Sequence, residues 1–111
     1  VPNFNNMRKA ADYFVGEHDF KSFTTAKKSK STVRRIDSID IQYNEDSKKA
    51  VIRITANDFL HNMARLMIGM LLDVGNGLKK PEDVKKALDG QDIQMSLPAE
   101  PHALFLRRIK Y

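Results

Sequence analysis

The feature that most constrains the fold is residues 58–77, DFLHNMARLMIGMLLDVGNG, which read as a helix that is apolar around most of its circumference. At about 100° per residue, the apolar side chains cover one broad arc. This arc comprises Leu60, Met63, Ala64, Met67, Ile68, Met70, Leu71 and Val74, and Phe59 and Leu66 extend it. A helix of this kind is normally buried, so we predict that one long helix over these residues organises the core.

The rest of this helix forms a narrow strip whose one basic side chain is Arg65. The strip contains Asp58, His61, Asn62, Arg65, Gly69 and Asp73. Gly69 follows Arg65 by one turn, and glycine is unfavourable inside helices, so it suggests close approach by a strand or a ligand. Two interpretations of Arg65 stay open at this point. It faces solvent on an ordinary core helix, or it faces a cleft.

Length and composition set broad limits on the class of protein. The 111 residues suggest one domain, 1–111, and the absence of cysteine excludes a disulfide framework and a thiolate metal site. An intracellular, cytoplasmic location fits this composition. No apolar run approaches the roughly 20 residues of a membrane span. The sequence has no initiator Met and no signal peptide, and it begins close to a helix. We therefore expect it to be part of a longer polypeptide.

The charge is mildly basic and unevenly distributed. Nineteen Lys and Arg residues against fourteen Asp and Glu residues give a net charge of +5, which suits a polyanionic partner such as RNA. One basic cluster comprises Lys27, Lys28, Lys30, Arg34 and Arg35, and a second comprises Arg107, Arg108 and Lys110. The more common alternative is that such clusters are simply solvated surface.

The order of elements predicts an α+β fold. We expect a helix over 5–15 that is capped by Asn3 or Asn5 and followed by Gly16. A compact turn over 17–23 should follow, in which Asp19 bonds local backbone N–H groups. Residues 24–31 read as a polar, basic loop.

The remaining elements are expected to complete a mainly antiparallel sheet with helices packed on one face. Strands over 32–43 and 50–56 read as an antiparallel hairpin with a bulge near Asp37 and Ser38. After the long helix, Pro81 opens a short helix over 82–88. A last strand over 103–111 is apolar on both faces, so its uncovered face is expected to meet a partner layer from elsewhere.

No catalytic motif stands out from residue types and spacing alone. The three His residues lack zinc-site spacing, and the sequence contains no Walker loop, GxGxxG or GxSxG pattern. We therefore predict no metal site, and residue types and spacing alone do not identify a catalyst.

Four segments, taken in order, resemble the C-terminal domain of the TruA-type tRNA pseudouridine synthase (tRNA pseudouridine synthase I) family. The first three are MRKAADYFVGEHDFKSF (7–23), TVRRI (32–36) and the most specific, residues 59–77, which resemble F-x-x-x-M-V-R-x-x-V-G-x-L-x-x-V-G. Residues 98–111 resemble the closing P-A-x-G-L-x-L-x-x-V-x-Y pattern. Ala64 and Ala103 depart from the family's usual Val and Gly. The family's Arg-Thr-Asp-type motif, which carries its nucleophilic Asp, has no match in this sequence.

This resemblance implies a fold, a reaction and site residues. Family members join two similar α+β halves across a basic cleft, act as homodimers and isomerise uridine to pseudouridine on the 3′ side of the tRNA anticodon stem-loop. They use no metal or organic cofactor. This chain would be the C-terminal half, inactive without the N-terminal half that carries the nucleophilic Asp. Arg65 matches the arginine that pairs with that Asp, and Leu104 matches an apolar residue at the active-site floor. The basic cluster at 27–35 would contact tRNA phosphates.

Two non-catalytic alternatives remain open from sequence. An RNA-binding module with an RRM-like sheet would need exposed aromatic side chains on its strands, for which the candidates are Tyr43, Phe105 and Tyr111. No RNP motif accompanies them. A pure dimerisation module would instead use the apolar surplus for subunit contact.

Overall fold

A computed structural model describes residues 2–25, 31–47, 49–91 and 105–108 of this chain. The elements, in chain order, are α1 (Phe4–Phe14), β1 (Gly16–Asp19), a 3-10 turn (Lys21–Phe23), β2 (Val33–Asn44), β3 (Lys49–Ala56), α2 (Met63–Gly75), α3 (Glu82–Leu88) and β4 (Phe105–Arg108). The four strands form one sheet in the order β1-β2-β3-β4. The first two pairings are antiparallel and the β3–β4 pairing is parallel, so the predicted α+β class with a mainly antiparallel sheet is confirmed.

Helix α1 forms because its apolar residues recur at helical spacing. Its buried side chains are Met7, Ala10, Ala11 and Phe14. The side chain of Asn3 accepts a hydrogen bond from the Asn6 N–H at 3.0 Å and so caps the first turn, as predicted. Gly16 follows the helix with φ +105°, a conformation that L side chains rarely adopt, and this lets the chain turn directly into β1.

The β2–β3 hairpin has one covered face and one exposed face. Ile41, Ile52 and Ile54 are buried beneath the helices, whereas Asp40, Gln42 and Arg53 point to the opposite side and are exposed. The register shifts between Ile36 and Ser38, which confirms the predicted bulge. On the covered side the ring of Tyr43 stacks on Phe4 with centroids 4.6 Å apart, so this aromatic is part of the packing rather than an exposed platform for bases.

The long helix begins later than predicted. Residues 58–62 form an irregular turn, and α2 starts only at Met63. Asn62 adopts the left-handed conformation, with φ 59° and ψ 8°, which interrupts any continuous α-helix from Asp58. Upstream, the Asn57 N–H bonds the Arg35 carbonyl at 3.0 Å, and this contact extends the strand pairing instead.

Strand β1 was not predicted. Gly16 was expected to follow the first helix and residues 17–19 to form part of a compact turn, but Gly16–Asp19 pair with β2 in antiparallel register, with His18 opposite Arg34. The sequence GEHD contains no strong strand former, so the pairing partner and not local propensity produces this strand. The second half of the expected compact turn forms a 3-10 turn, and Phe20 and Phe23 are buried against Phe14.

The core lies between the covered face of the sheet and the helices. Its largest fully buried side chains include Phe14, Met63, Met67, Met70 and Leu71. The whole predicted apolar arc of α2 is buried, which confirms that this helix organises the core. The part of the chain described by the structure contains no helix that is both long and apolar enough to cross a membrane.

Candidate functional site

Arg65 lies in the first turn of α2 and is held by a rigid, buried element. Its sequence neighbours Ala64 and Leu66 are buried, while Arg65 itself is partly exposed. Its Nη1 donates to Oδ1 of Asn62 over 3.5 Å. The guanidinium therefore emerges from the buried helix at its N-terminal end, beside the turn that precedes the helix.

This turn is joined to residues 24 and 25 by three hydrogen bonds. The hydroxyl of Thr24 and the N–H of Thr25 both donate to the His61 carbonyl, at 2.9 and 3.4 Å. The Nδ2 group of Asn62 donates to Oγ1 of Thr25 at 3.1 Å. The segment that leads into the basic cluster is thus docked next to Arg65.

The two basic residues of the cluster within β2 differ in their surroundings. The Arg34 side chain is 19% exposed, and its Nη1 donates to the carbonyls of Ser31 and Val33 at 3.0 and 2.8 Å. Its buried Nε has no hydrogen-bond partner and lies 3.9 Å from Oδ2 of Asp58. These contacts make Arg34 mainly a structural residue at the start of β2.

Arg35 is more accessible than Arg34. Its side chain is 40% exposed, and its Nε pairs with Oδ1 of Asp37, the bulge residue, at 2.8 Å. Its backbone N–H donates to Oδ1 of Asn57 at 2.8 Å. The bulge thus places a carboxylate beside Arg35 at the surface of the protein, where such ion pairs contribute little to stability.

Several predicted site residues cannot be placed. Lys27, Lys28, Lys30 and Leu104 lie outside the described residues.

Gly69 was assigned to the polar strip beside Arg65, but it is buried within α2, so the exposed strip is shorter than the helical projection predicts.

The sequence assigned no role to three polar residues near Arg65, although one of them, Asn62, lies on the predicted polar strip. They are Thr24, Thr25 and Asn62, which connect the basic segment to the start of α2. A usable signal was present for Asn62, since asparagine is the non-glycine residue that most readily adopts a left-handed conformation. Asp19 does behave as predicted, because its Oδ1 accepts the N–H of Lys21 at 3.0 Å.

This arrangement presents a cation at the N-terminal end of a largely buried helix. A guanidinium fixed in this way can hold a carboxylate by charge-assisted hydrogen bonds and keep it ionised. The positively charged side chain of Arg35, which is 40% exposed, is suited to phosphate.

Comparison with known proteins is consistent with this chemistry. A family model described as tRNA pseudouridine synthase matches residues 10–111. Proteins named tRNA pseudouridine synthase A are similar over nearly the whole chain. The identity is 44% over 108 residues in Listeria innocua, 42% over 110 in a Bacillus species and 40% over 111 in Anaplasma phagocytophilum. These matches cover 95%, 98% and 98% of this chain but only 43%, 44% and 44% of the relatives. The chain thus spans less than half the length of the relatives it matches.

Proposed function

This chain belongs to the tRNA pseudouridine synthase family, and we propose that it forms the half of such an enzyme that supplies Arg65 to the reaction centre. The proposed reaction converts uridine to pseudouridine on the 3′ side of the tRNA anticodon stem-loop. The observation that supports it most directly is the position of Arg65, in the family's most specific segment and at the exposed end of a buried helix.

The chemistry is an isomerisation that needs no co-substrate. The C1′–N1 glycosidic bond breaks, the uracil turns, and a C1′–C5 bond forms. C5 loses a proton and N1 gains one, so the atoms balance. A carboxylate of the N-terminal half assists glycosidic cleavage. Before this step the target base must leave its stack, as in other enzymes that modify bases.

Arg65 would act on that carboxylate. An adjacent guanidinium stabilises the ionised form and fixes its orientation through parallel N–H···O contacts. Such a role requires a rigid support, and α2 supplies one because ten of its thirteen residues are buried. Leu104 is proposed as the apolar residue beneath the uracil.

The basic cluster is proposed to contact the tRNA backbone. Lys27, Lys28, Lys30 and Arg35 would provide the positive surface, while Arg34 would mainly hold the base of this segment in place. Phosphate contacts of this kind orient the RNA and carry no sequence information themselves.

The intact enzyme is proposed to be a cytoplasmic homodimer in which each subunit joins this chain to an N-terminal half. We expect the isolated chain to be inactive, because the Arg-Thr-Asp-type motif has no match within its 111 residues. A module that binds RNA without catalysis is less well supported, since Tyr43 is stacked on Phe4 within the packing.

Release of tritium from tRNA that carries [5-³H]uridine tests the proposal, because C5 loses its hydrogen only when the new C–C bond forms. We expect release by the intact enzyme and none by this chain alone. Absence of release by the intact enzyme from every tRNA with a uridine on the 3′ side of the anticodon stem-loop would refute the proposal.

A further inference from the structure

Asn62 has an unusual backbone conformation next to Arg65. Within residues 2–25, 31–47, 49–91 and 105–108, it is the one non-glycine residue with a positive φ, 59°. Asparagine tolerates this conformation better than most residues, but it is still uncommon, and such positions are concentrated at functional sites. The conformation alone assigns no role, so the contacts of the side chain have to be considered.

The side chain of Asn62 does not cap α2, although the residue stands at the N-cap position. Asn62 is the N-cap residue of α2, where asparagine typically accepts a backbone N–H from the first turn. Here its side chain makes no such capping bond, although its backbone carbonyl accepts from the Leu66 N–H at 3.0 Å. The amide is instead directed sideways.

Both ends of this amide are engaged, and the chemistry of the partners fixes its orientation. Arg65 can only donate, so the amide oxygen must face its Nη1, at 3.5 Å. The amide nitrogen then faces the hydroxyl oxygen of Thr25, at 3.1 Å. Asn62 therefore bridges Arg65 and the segment that leads into the basic cluster.

We propose that Asn62 is a positioning residue for the isomerisation. It orients the Arg65 guanidinium and couples it to Thr25, which precedes the basic cluster in the chain. This inference rests on the proposed function. Asn62 would not touch the substrate. Its effect would appear in the rate of the chemical step, whereas removal of lysines from the basic segment would appear in tRNA binding.

The central variant is Asn62→Gly, because glycine keeps the left-handed backbone at no steric cost and removes only the amide. In the intact enzyme we expect kcat to fall about ten- to a hundredfold, as misplacement of a catalytic group does. KM for tRNA should change by less than about threefold, the pattern of an interaction that matters mainly in the transition state. Asn62→Asp keeps the acceptor for Arg65 and should restore part of kcat. The matched control is Asn76→Gly at the exposed C-terminal end of α2, for which no change in kcat is expected.

A second variant tests the coupling and does not alter the unusual backbone. Thr25→Val removes the hydroxyl and keeps the side-chain shape. We expect it to lower kcat in the wild-type background and to have little further effect in the Asn62→Gly background, because both changes break the same bridge.

The outcomes separate this inference from the proposed function. An inactive wild-type enzyme overturns both. An active wild type, with an inactive Arg65→Ala variant but an unchanged kcat in Asn62→Gly and Thr25→Val, overturns only the role of Asn62. The role of Asn62 is also overturned by a third result. In that result kcat falls only as Tm falls, Asn62→Asp gives no rescue, and the effects in the double variant are additive.

Discussion

Thr32 donates a hydrogen bond from its Oγ1 to Oδ1 of Asp19, and the same oxygen accepts the N–H of Lys21. The Phe20 N–H also bonds the Thr32 carbonyl at 2.9 Å. At the other end, Thr24 and Thr25 are bonded to His61 and Asn62. The residues between these two anchors include the three lysines of the basic cluster, so both ends of the proposed RNA-contacting segment are attached to the body of the fold.

Removal of the Asp19 carboxylate should loosen the anchor that Asp19 forms with Thr32. We expect Asp19→Ala to lower the free energy of unfolding by roughly 1 kcal/mol, the typical net value of a hydrogen bond. It should also speed amide hydrogen exchange at Phe20 and Lys21. Asp19→Asn retains an acceptor oxygen and should behave closer to wild type. Unchanged exchange at both amides in Asp19→Ala would show that the anchor does not depend on this side chain.

Substitution of Arg65 should abolish most activity of the intact enzyme. We expect Arg65→Ala to reduce kcat by about a hundred- to a thousandfold, as does removal of a preorganised electrostatic donor. Arg65→Lys should not restore it fully, because a lysine cannot reproduce two parallel N–H···O contacts to one carboxylate. The measurement is tritium release from labelled tRNA.

A matched control for Arg65 is available on α1. The Nη2 group of Arg8 donates to the Ile41 carbonyl at 3.0 Å, and the residue is exposed and far from α2's first turn in sequence. Arg8→Ala and Arg8→Lys should leave kcat near the wild-type value. Full activity in both Arg65 variants would rule out the role given to that residue.

The salt dependence of tRNA binding should distinguish the basic residues from one another. Removing one side chain that neutralises a phosphate should reduce the slope of log K against log salt concentration by about 0.7 to 0.9. We expect this reduction for alanine variants of Lys27, Lys28, Lys30 and Arg35. Arg34→Ala should mainly lower Tm, because this side chain is largely buried and bonds two backbone carbonyls.

The salt-dependence experiment needs a control lysine that lies outside the basic cluster. Lys85 is exposed on α3 and supplies one, so Lys85→Ala should leave the salt slope unchanged. If the alanine variants of Lys27, Lys28, Lys30 and Arg35 all behaved like Lys85→Ala, tRNA would have to bind through another surface.

Gly75 should not accept even one methyl group. A Cβ at this position would lie 2.6 Å from Sδ and 2.8 Å from Cγ of the buried Met7, and 3.1 Å from Cβ of Pro2. We expect Gly75→Ala to destabilise the fold by about 1–3 kcal/mol, as overpacking does, despite the better helix propensity of alanine. Urea denaturation measures this cost.

The contribution of Met7 to the destabilisation by Gly75→Ala can be measured in a protein that lacks the Met7 side chain. In a Met7→Ala protein the nearest side-chain atoms are removed, and Gly75→Ala should then be close to neutral. Gly77 is a useful comparison, because a Cβ there meets nothing within 4 Å and any cost would come from its φ of +80° alone. Equal destabilisation by Gly75→Ala in both backgrounds would contradict overpacking against Met7.

Periodicity predicted those parts of the fold in which burial determines the local structure. The apolar spacing of α1 and α2 gave the correct buried faces, and alternation in β2 and β3 placed Ile52 and Ile54 correctly. Pattern alone could not find β1, because residues 16–19 are held as a strand by backbone pairing with β2. Nor could it locate the start of α2, since Leu60 continues the helical period while Asn62 interrupts the helix.

The sequence predicted only the part of the candidate site that lies within a single sequence motif. The helical pattern singled out Arg65, the family resemblance assigned it a role, and the structure places it in the first turn of α2. In the bridge from Thr25 through Asn62 to Arg65, Thr25 and Asn62 are 37 positions apart, so the bridge depends on the tertiary fold and has no local signature. Likewise, the difference between Arg34 and Arg35 arises from the carbonyls and carboxylates that surround them.

The parallel pairing of β4 with β3 has a kinetic consequence. Ala56 pairs with Arg108, and both α2 and α3 lie between these strands along the chain. During synthesis β3 therefore emerges well before the strand that covers its open side. A strand edge left open in this way can pair with another chain, so slower translation of residues 57–104 should increase aggregation of the nascent protein.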